Sequence, residues 1–122
     1  MEKEKFLVTV SAHFDAAHSI QSPEGMCERL HGHRWKVEAA FSGTLQRDGI
    51  VRDFLDLEKK LKKRVISKLD HSNLDDLFEV PTTELICRWI WDQLKPLGVV
   101  EIRLWETPDF SIIYRGGDSY NK

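Results

Sequence analysis

The sequence predicts an α+β domain in which two helices cover one face of an antiparallel sheet. Three observations lead there. Two early segments alternate with a period of two residues, two later segments switch to the helical period, and two short alternating runs close the chain.

Residues 6–18, FLVTVSAHFDAAH, form the first strand. Phe6, Val8, Val10, Ala12, Phe14, Ala16 and His18 share one parity, and Thr9, Ser11, His13 and Asp15 share the other. Successive strand side chains point to opposite faces, so this pattern reads as half-buried. Residues 31–42, HGHRWKVEAAFS, repeat it. His31, His33, Trp35, Val37, Ala39 and Phe41 lie on one face, with Arg34, Lys36, Glu38 and Ser42 on the other.

The period then changes. In residues 53–69 the residues Phe54, Leu57, Leu61 and Val65 make one stripe, and Asp53 precedes it as a helix N-cap. Pro81 opens a second helix, TTELICRWIWDQLK, with Ile86, Ile90 and Leu94 as its core stripe and Trp89 alongside. Pro96 and Gly98 end it. Two strands, VVEIRLWET and FSIIYR, follow, joined by a turn at Pro108 and Asp109. The expectation is four antiparallel strands and two helices in a single domain spanning residues 1–122.

Bulk properties narrow the function. The hydrophobic fraction is 41% and the charged fraction 31%, ordinary for a globular domain. The formal net charge is −2, which argues against a nucleic-acid binder. The basic run LEKKLKKRV lies on a helical pattern and reads as a solvated face, with an anionic ligand site as the competing reading. No apolar run approaches the roughly 20 residues that span a bilayer, so no membrane association is expected. The N-terminal residues lack a signal-peptide pattern, and Cys27 and Cys87 make no disulfide framework. A reduced, cytoplasmic setting is expected.

The stretch MCERLHGH places one cysteine, one glutamate and two histidines within residues 27–33. His31 and His33 are two apart on a strand, so they point the same way and can grip one ion. His18, on the apolar face of the first strand, would complete a three-histidine set with an open fourth position, the pattern of a catalytic zinc. The competing reading is three satisfied core histidines. His13 is on the polar face and reads as surface. A thiol at Cys27 near a dication would have a lowered pKa and could act as base or nucleophile; otherwise it is a small buried hydrophobe. Cys87, inside a helix, reads as the latter. Asp70 and His71, in LDHSNLDD, could polarise a thiol or shuttle a proton. Glu106 ends the apolar parity Val100, Ile102, Leu104. It is either a frayed strand end in water or a carboxylate that pairs with two adjacent N–H donors of a ligand.

Taken in order, FDAAH (14–18), C-x3-HGH (27–33), GIVRDF (49–54), LDHSNL (69–74), PTTE (81–84) and ET (106–107) resemble the 6-pyruvoyl-tetrahydropterin synthase family. The likeness is to its 6-carboxy-5,6,7,8-tetrahydropterin synthase branch of queuosine biosynthesis, and it runs almost end to end. It implies a tunnelling fold (T-fold), in which three four-stranded sheets close a barrel and two trimers stack into a homohexamer. It implies Zn2+ on His18, His31 and His33. Cys27 would be the proton-abstracting thiol, with Asp70 and His71 as its relay. Glu106 would anchor the pterin's 2-amino and N3–H edge, and Thr82, Thr83 and Glu84 would line the pterin pocket. The implied small-molecule substrate is a pterin triphosphate, 7,8-dihydroneopterin triphosphate, and the link to tRNA is indirect.

Spacing bears on the branch. Animal-type pyruvoyl synthases of the family have a longer gap before HGH. Glu28 also satisfies the E-x2-HGH pattern of a branch that cleaves the side chain to 6-hydroxymethyl-7,8-dihydropterin for folate synthesis. Three readings follow: a carboxytetrahydropterin synthase, a dual or folate-directed lyase using Glu28, and a non-catalytic zinc or pterin scaffold. Retention of Cys27, Asp70, His71 and Glu106 together speaks against the third.

Overall fold

The computed structural model describes residues 5–20 and 29–117. Strands β1 (Phe6–His18) and β2 (His31–Gly43) pair antiparallel, from Phe6 opposite Gly43 to His18 opposite His31. β4 (Val99–Thr107) pairs with β2, and β5 (Phe110–Tyr114) with β4. The last hairpin is closed by Thr107, whose Oγ1 accepts from the Asp109 and Phe110 N–H groups.

A short strand corrects the four-strand expectation. β3 (Ser72–Asn73) runs parallel to β1 at Ala16 and Ala17, giving the order β3-β1-β2-β4-β5. Two residues carry no alternation to be read. Their pairing exists only because the chain passes the open edge of β1 on leaving a helix.

Two helical segments cover one face, as expected. Asp53 caps α1 (Phe54–Leu61), its Oδ1 accepting from the Leu55 N–H at 2.9 Å. The helical path continues through a π-helical segment (Lys62–Ile66) into α2 (Ser67–Leu69). The buried residues Leu57, Leu61, Val65 and Leu69 recur every four positions. In a regular α-helix such a stripe would drift by about 40° at each step. The wider π turn takes up the drift and keeps the stripe on the sheet. Phe54 departs from its expected place in the stripe. It is 64% exposed at the first position of the helix, before the chain has turned onto the sheet.

Helix α3 (Thr83–Leu94) is capped by Thr82, whose Oγ1 accepts from the Leu85 N–H at 3.2 Å. It buries Ile86, Cys87, Ile90 and Leu94. Trp89 lies edge-on against Phe78 at its margin. A 3₁₀ turn (Lys95–Leu97) and Gly98, at φ 86°, lead into β4; the positive φ favours glycine there.

The core forms between these helices and the parity of the sheet that includes Val10, Phe14, Trp35, Val37, Ile102 and Leu104. Phe14 and Trp35 are stacked neighbours with nearly parallel rings, and the Trp35 Nε1–H donates to the Ala16 carbonyl. On the opposite parity His13, Arg34 and Arg103 are exposed, while Lys36, Glu38 and Trp105 are half-buried. The basic helix face is solvated as expected, with Lys60–Asp56 and Lys62–Glu58 pairs one turn apart.

Candidate metal centre

The β1–β2 pairing sets the centre. His18 stands opposite His31, and His33 stands opposite Ala16, at one end of the core face. His18 is fully buried. Its Nδ1–H donates to the Pro81 carbonyl at 2.8 Å, a bond that in the neutral ring places the lone pair on Nε2. His31 repeats the device, with Nδ1–H donating to the Arg29 carbonyl at 2.8 Å. Trp35 closes the inner wall, edge-on to both His18 and His33.

Glu106 joins them. It falls between Trp105 and Thr107, where the register of β4 against β5 slips by one residue, and such bulges re-aim a side chain. Its Oε2 lies 2.9 Å from His18 Nε2 and 3.6 Å from His33 Nε2. One ligand atom from each of His18, His31, His33 and Glu106 lies within 4.8 Å of the others. The His18 Nε2 atom nevertheless makes no hydrogen bond of acceptable geometry, despite the short approach of Glu106. A fully buried lone pair with no donor aimed at it fits a cation, and the donor set of three imidazoles and a carboxylate suits zinc. The orienting carbonyls are the outer contacts that metal-bound histidines use.

Contacts far apart in sequence hold His18 in place. Asp75 accepts from both the Ser19 N–H (2.9 Å) and the Ser19 hydroxyl (2.6 Å), pinning the chain directly after His18. The Ser19 hydroxyl, and then its N–H, hold the Asp75 carboxyl below the usual range. Sequence reasoning missed Ser19, Asp75 and the Pro81 carbonyl. No local pattern links positions 56 or 63 residues apart.

Asp70 and His71 lie at the β1 edge in a second group of potential ligand atoms, with Asp15. The Asp15 N–H donates to Asp70 Oδ1 at 2.8 Å, and the His71 N–H donates back to the Asp15 carbonyl. The Asp15 N–H is the main cause of the lowered Asp70 pKa; His71 adds to it, and burial opposes it. His71 Nδ1 is 3.0 Å from Asp70 Oδ2, its φ is 60°, and its side chain is 81% exposed. Asp70 thus fixes one ring nitrogen of an imidazole that faces solvent.

Thr82, Thr83 and Glu84 share a cleft of about 380 Å³ with Glu106 and Ser111. The structure therefore brings these three into one cleft with Glu106. Cys27 and Glu28 lie outside the described residues. Cys87 is buried, and burial, with a smaller effect from Glu84, pushes its thiol up to about 12.

This fold and this histidine cluster define a class. Residues 7–117 match the family model for 6-pyruvoyl tetrahydropterin synthase, and the chain belongs to that family of pterin-processing enzymes. A 6-carboxy-5,6,7,8-tetrahydropterin synthase of Haemophilus influenzae is 33% identical over 132 residues, covering 84% of this chain and 94% of that protein. A dihydroneopterin monophosphate aldolase of Pyrococcus furiosus is 35% identical, covering 88% and 96%. Among solved structures, the 6-pyruvoyl tetrahydropterin synthase of Caenorhabditis elegans superposes with a TM-score of 0.80 at 22% identity, covering 96% of this chain and 99% of that one. That likeness supports the T-fold.

Proposed function

We propose that the chain is a zinc-dependent 6-carboxy-5,6,7,8-tetrahydropterin synthase acting in the cytoplasm in queuosine biosynthesis. It converts 7,8-dihydroneopterin triphosphate and water to 6-carboxytetrahydropterin, acetaldehyde and triphosphate. The observation that carries this reading is the buried, unsatisfied His18 Nε2 facing Glu106 in a cluster with His31 and His33.

His18, His31 and His33 are the residues that would hold Zn2+, which supplies Lewis-acid polarisation of the substrate's side-chain hydroxyls. The Pro81 and Arg29 carbonyls keep the Nε2 lone pairs of His18 and His31 available. Cys27 removes a proton from the polarised side chain. His71, oriented by the ionised Asp70, moves a proton on the other side. Glu106 receives the pterin's 2-amino and N3–H edge, with Thr82, Thr83 and Glu84 around the ring. A bidentate pair uses both carboxylate oxygens, so Glu106 turns away from His18 when the pterin binds.

The active form is a homohexamer of two stacked trimers. β3 covers β1 only at Ala16 and Ala17, and no described strand lies outside β5. Open edges of this kind are closed by pairing with further copies. Sedimentation at the mass of a monomer would overturn the assembly.

A second reading has one observation in its favour, the 35% identity to a dihydroneopterin monophosphate aldolase. In it, Glu28 cleaves the side chain to 6-hydroxymethyl-7,8-dihydropterin, alone or alongside the first reaction. Zinc-loaded protein incubated with 7,8-dihydroneopterin triphosphate separates the two by mass spectrometry. Carboxytetrahydropterin with acetaldehyde is the expected result. Hydroxymethyl-dihydropterin alone would replace the first reading with the second.

A further inference from the structure

A second cleft, of about 420 Å³, opens from the other side of Glu106. It shares His33 and Glu106 with the metal centre and continues over His13, Arg34, Lys36 and Trp105 on the sheet face turned away from the helices. Glu106 therefore stands where two clefts meet. One offers the hydroxyl and carboxylate groups of Thr82, Thr83 and Glu84. The other offers cations.

Those cations share one face by register. Arg34 and Lys36 are alternate residues of β2, opposite Asp15 and His13 of β1, and Lys36 is also opposite Trp105 of β4. Alternate strand residues are roughly 7 Å apart, the scale of an extended run of phosphoryl groups. The Lys36 ammonium rests 4.8 Å over the Trp105 ring, and no carboxylate among the described residues lies within ion-pair distance of it. The ring holds the ammonium without neutralising it. Arg34 has only a loose 3.8 Å contact with Asp15, both side chains being more than half exposed, so its guanidinium fork stays available.

We propose that Arg34 and Lys36, with His13 beside them, form the subsite for the substrate's oligophosphate tail. Resting on the function proposed above, this orients the substrate: pterin ring toward Thr82–Glu84, side-chain hydroxyls at the histidines, and phosphates over β2. Arg34 and Lys36 are positioning residues. Their charges set which end of the molecule enters which cleft, and they give a phosphorylated pterin an advantage over its free alcohol.

The test compares binding of neopterin triphosphate and neopterin to the zinc-loaded protein by pterin fluorescence, with zinc content checked after each titration. The wild-type protein is expected to favour the triphosphate by about ten- to a hundred-fold, the scale of one or two charge-assisted hydrogen bonds. In the Arg34→Gln/Lys36→Gln double variant that ratio falls toward one while neopterin affinity holds, and Arg34→Lys/Lys36→Arg restores most of it. An unchanged ratio, an equal loss for both ligands, or no wild-type preference would each overturn the subsite. The readout is binding. If neither pterin product forms yet the ratio behaves as stated, the proposed reaction fails and the subsite stands.

Discussion

The Oε2 atom of the half-buried Glu106 lies 2.9 Å from Nε2 of the fully buried His18, at one end of an otherwise apolar sheet face. The two residues come from strands β1 and β4, separated in the sheet by β2. The contact puts a carboxylate beside a buried imidazole nitrogen that has no hydrogen-bond partner. The imidazole and the carboxylate can therefore be tested separately, one through the metal and the other through the pterin.

For the metal, His31→Ala should lose zinc, read as stoichiometry by elemental analysis after dialysis. Full occupancy would contradict the ligand assignment. Glu106→Gln keeps the three imidazoles and should retain zinc while losing pterin affinity by about ten-fold or more, the worth of a charged bidentate pair. Loss of zinc in that variant would make Glu106 a ligand in its own right.

Chemistry should separate from metal binding at Cys27 and Glu28, outside the described residues. Cys27→Ala is expected to abolish formation of 6-carboxytetrahydropterin while zinc stays bound. Undiminished turnover would remove the thiol from the mechanism. Glu28→Gln should alter only hydroxymethyl-dihydropterin formation.

Acid should act through Asp70 and Asp75. Both carboxyls sit below the usual range in the folded chain. As pH falls, the unfolded chain takes up these protons first. Their contribution to stability is thus fully present above the unfolded pKa, near 3.9, and is lost as pH falls through the lower folded values. Asp75→Asn should therefore be less stable than the wild type at pH 7 in urea unfolding, and the gap should narrow below about pH 4. A constant gap would mean that the Ser19 contacts do not depend on the charge.

The helix stripe can be tested by size. Leu61 is fully buried, and Leu61→Ala should cost about 2–5 kcal/mol in urea unfolding. A loss under about 1 kcal/mol would mean that the stripe made continuous by the π-helical segment is not packed on the sheet.

Much of this molecule is legible in its residues. Alternation placed His18, His31 and His33 on the face that carries Phe14 and Trp35, because a strand's side chains can only point two ways. Asp53 was readable as a cap and Pro81 as the opening of a helix, because both signals act locally, on the nearest free N–H groups and on the backbone angle of the first turn. Motif order carried the family. Less legible were the two-residue β3, too short to have a period, and Phe54, whose stripe position says nothing about where the helix first meets the sheet.

By itself the sequence determined which side chains share a face, where the helices begin, and that three histidines converge. Only the tertiary structure decided that Glu106 turns onto His18 through a bulge, that Asp75 pins the residue after His18 from 56 positions away, and that Glu106 joins two clefts of opposite character. The reason is physical. Periodicity is a property of neighbouring residues, whereas these contacts depend on strand register and chain crossing, which form only when the whole sheet and its helices pack.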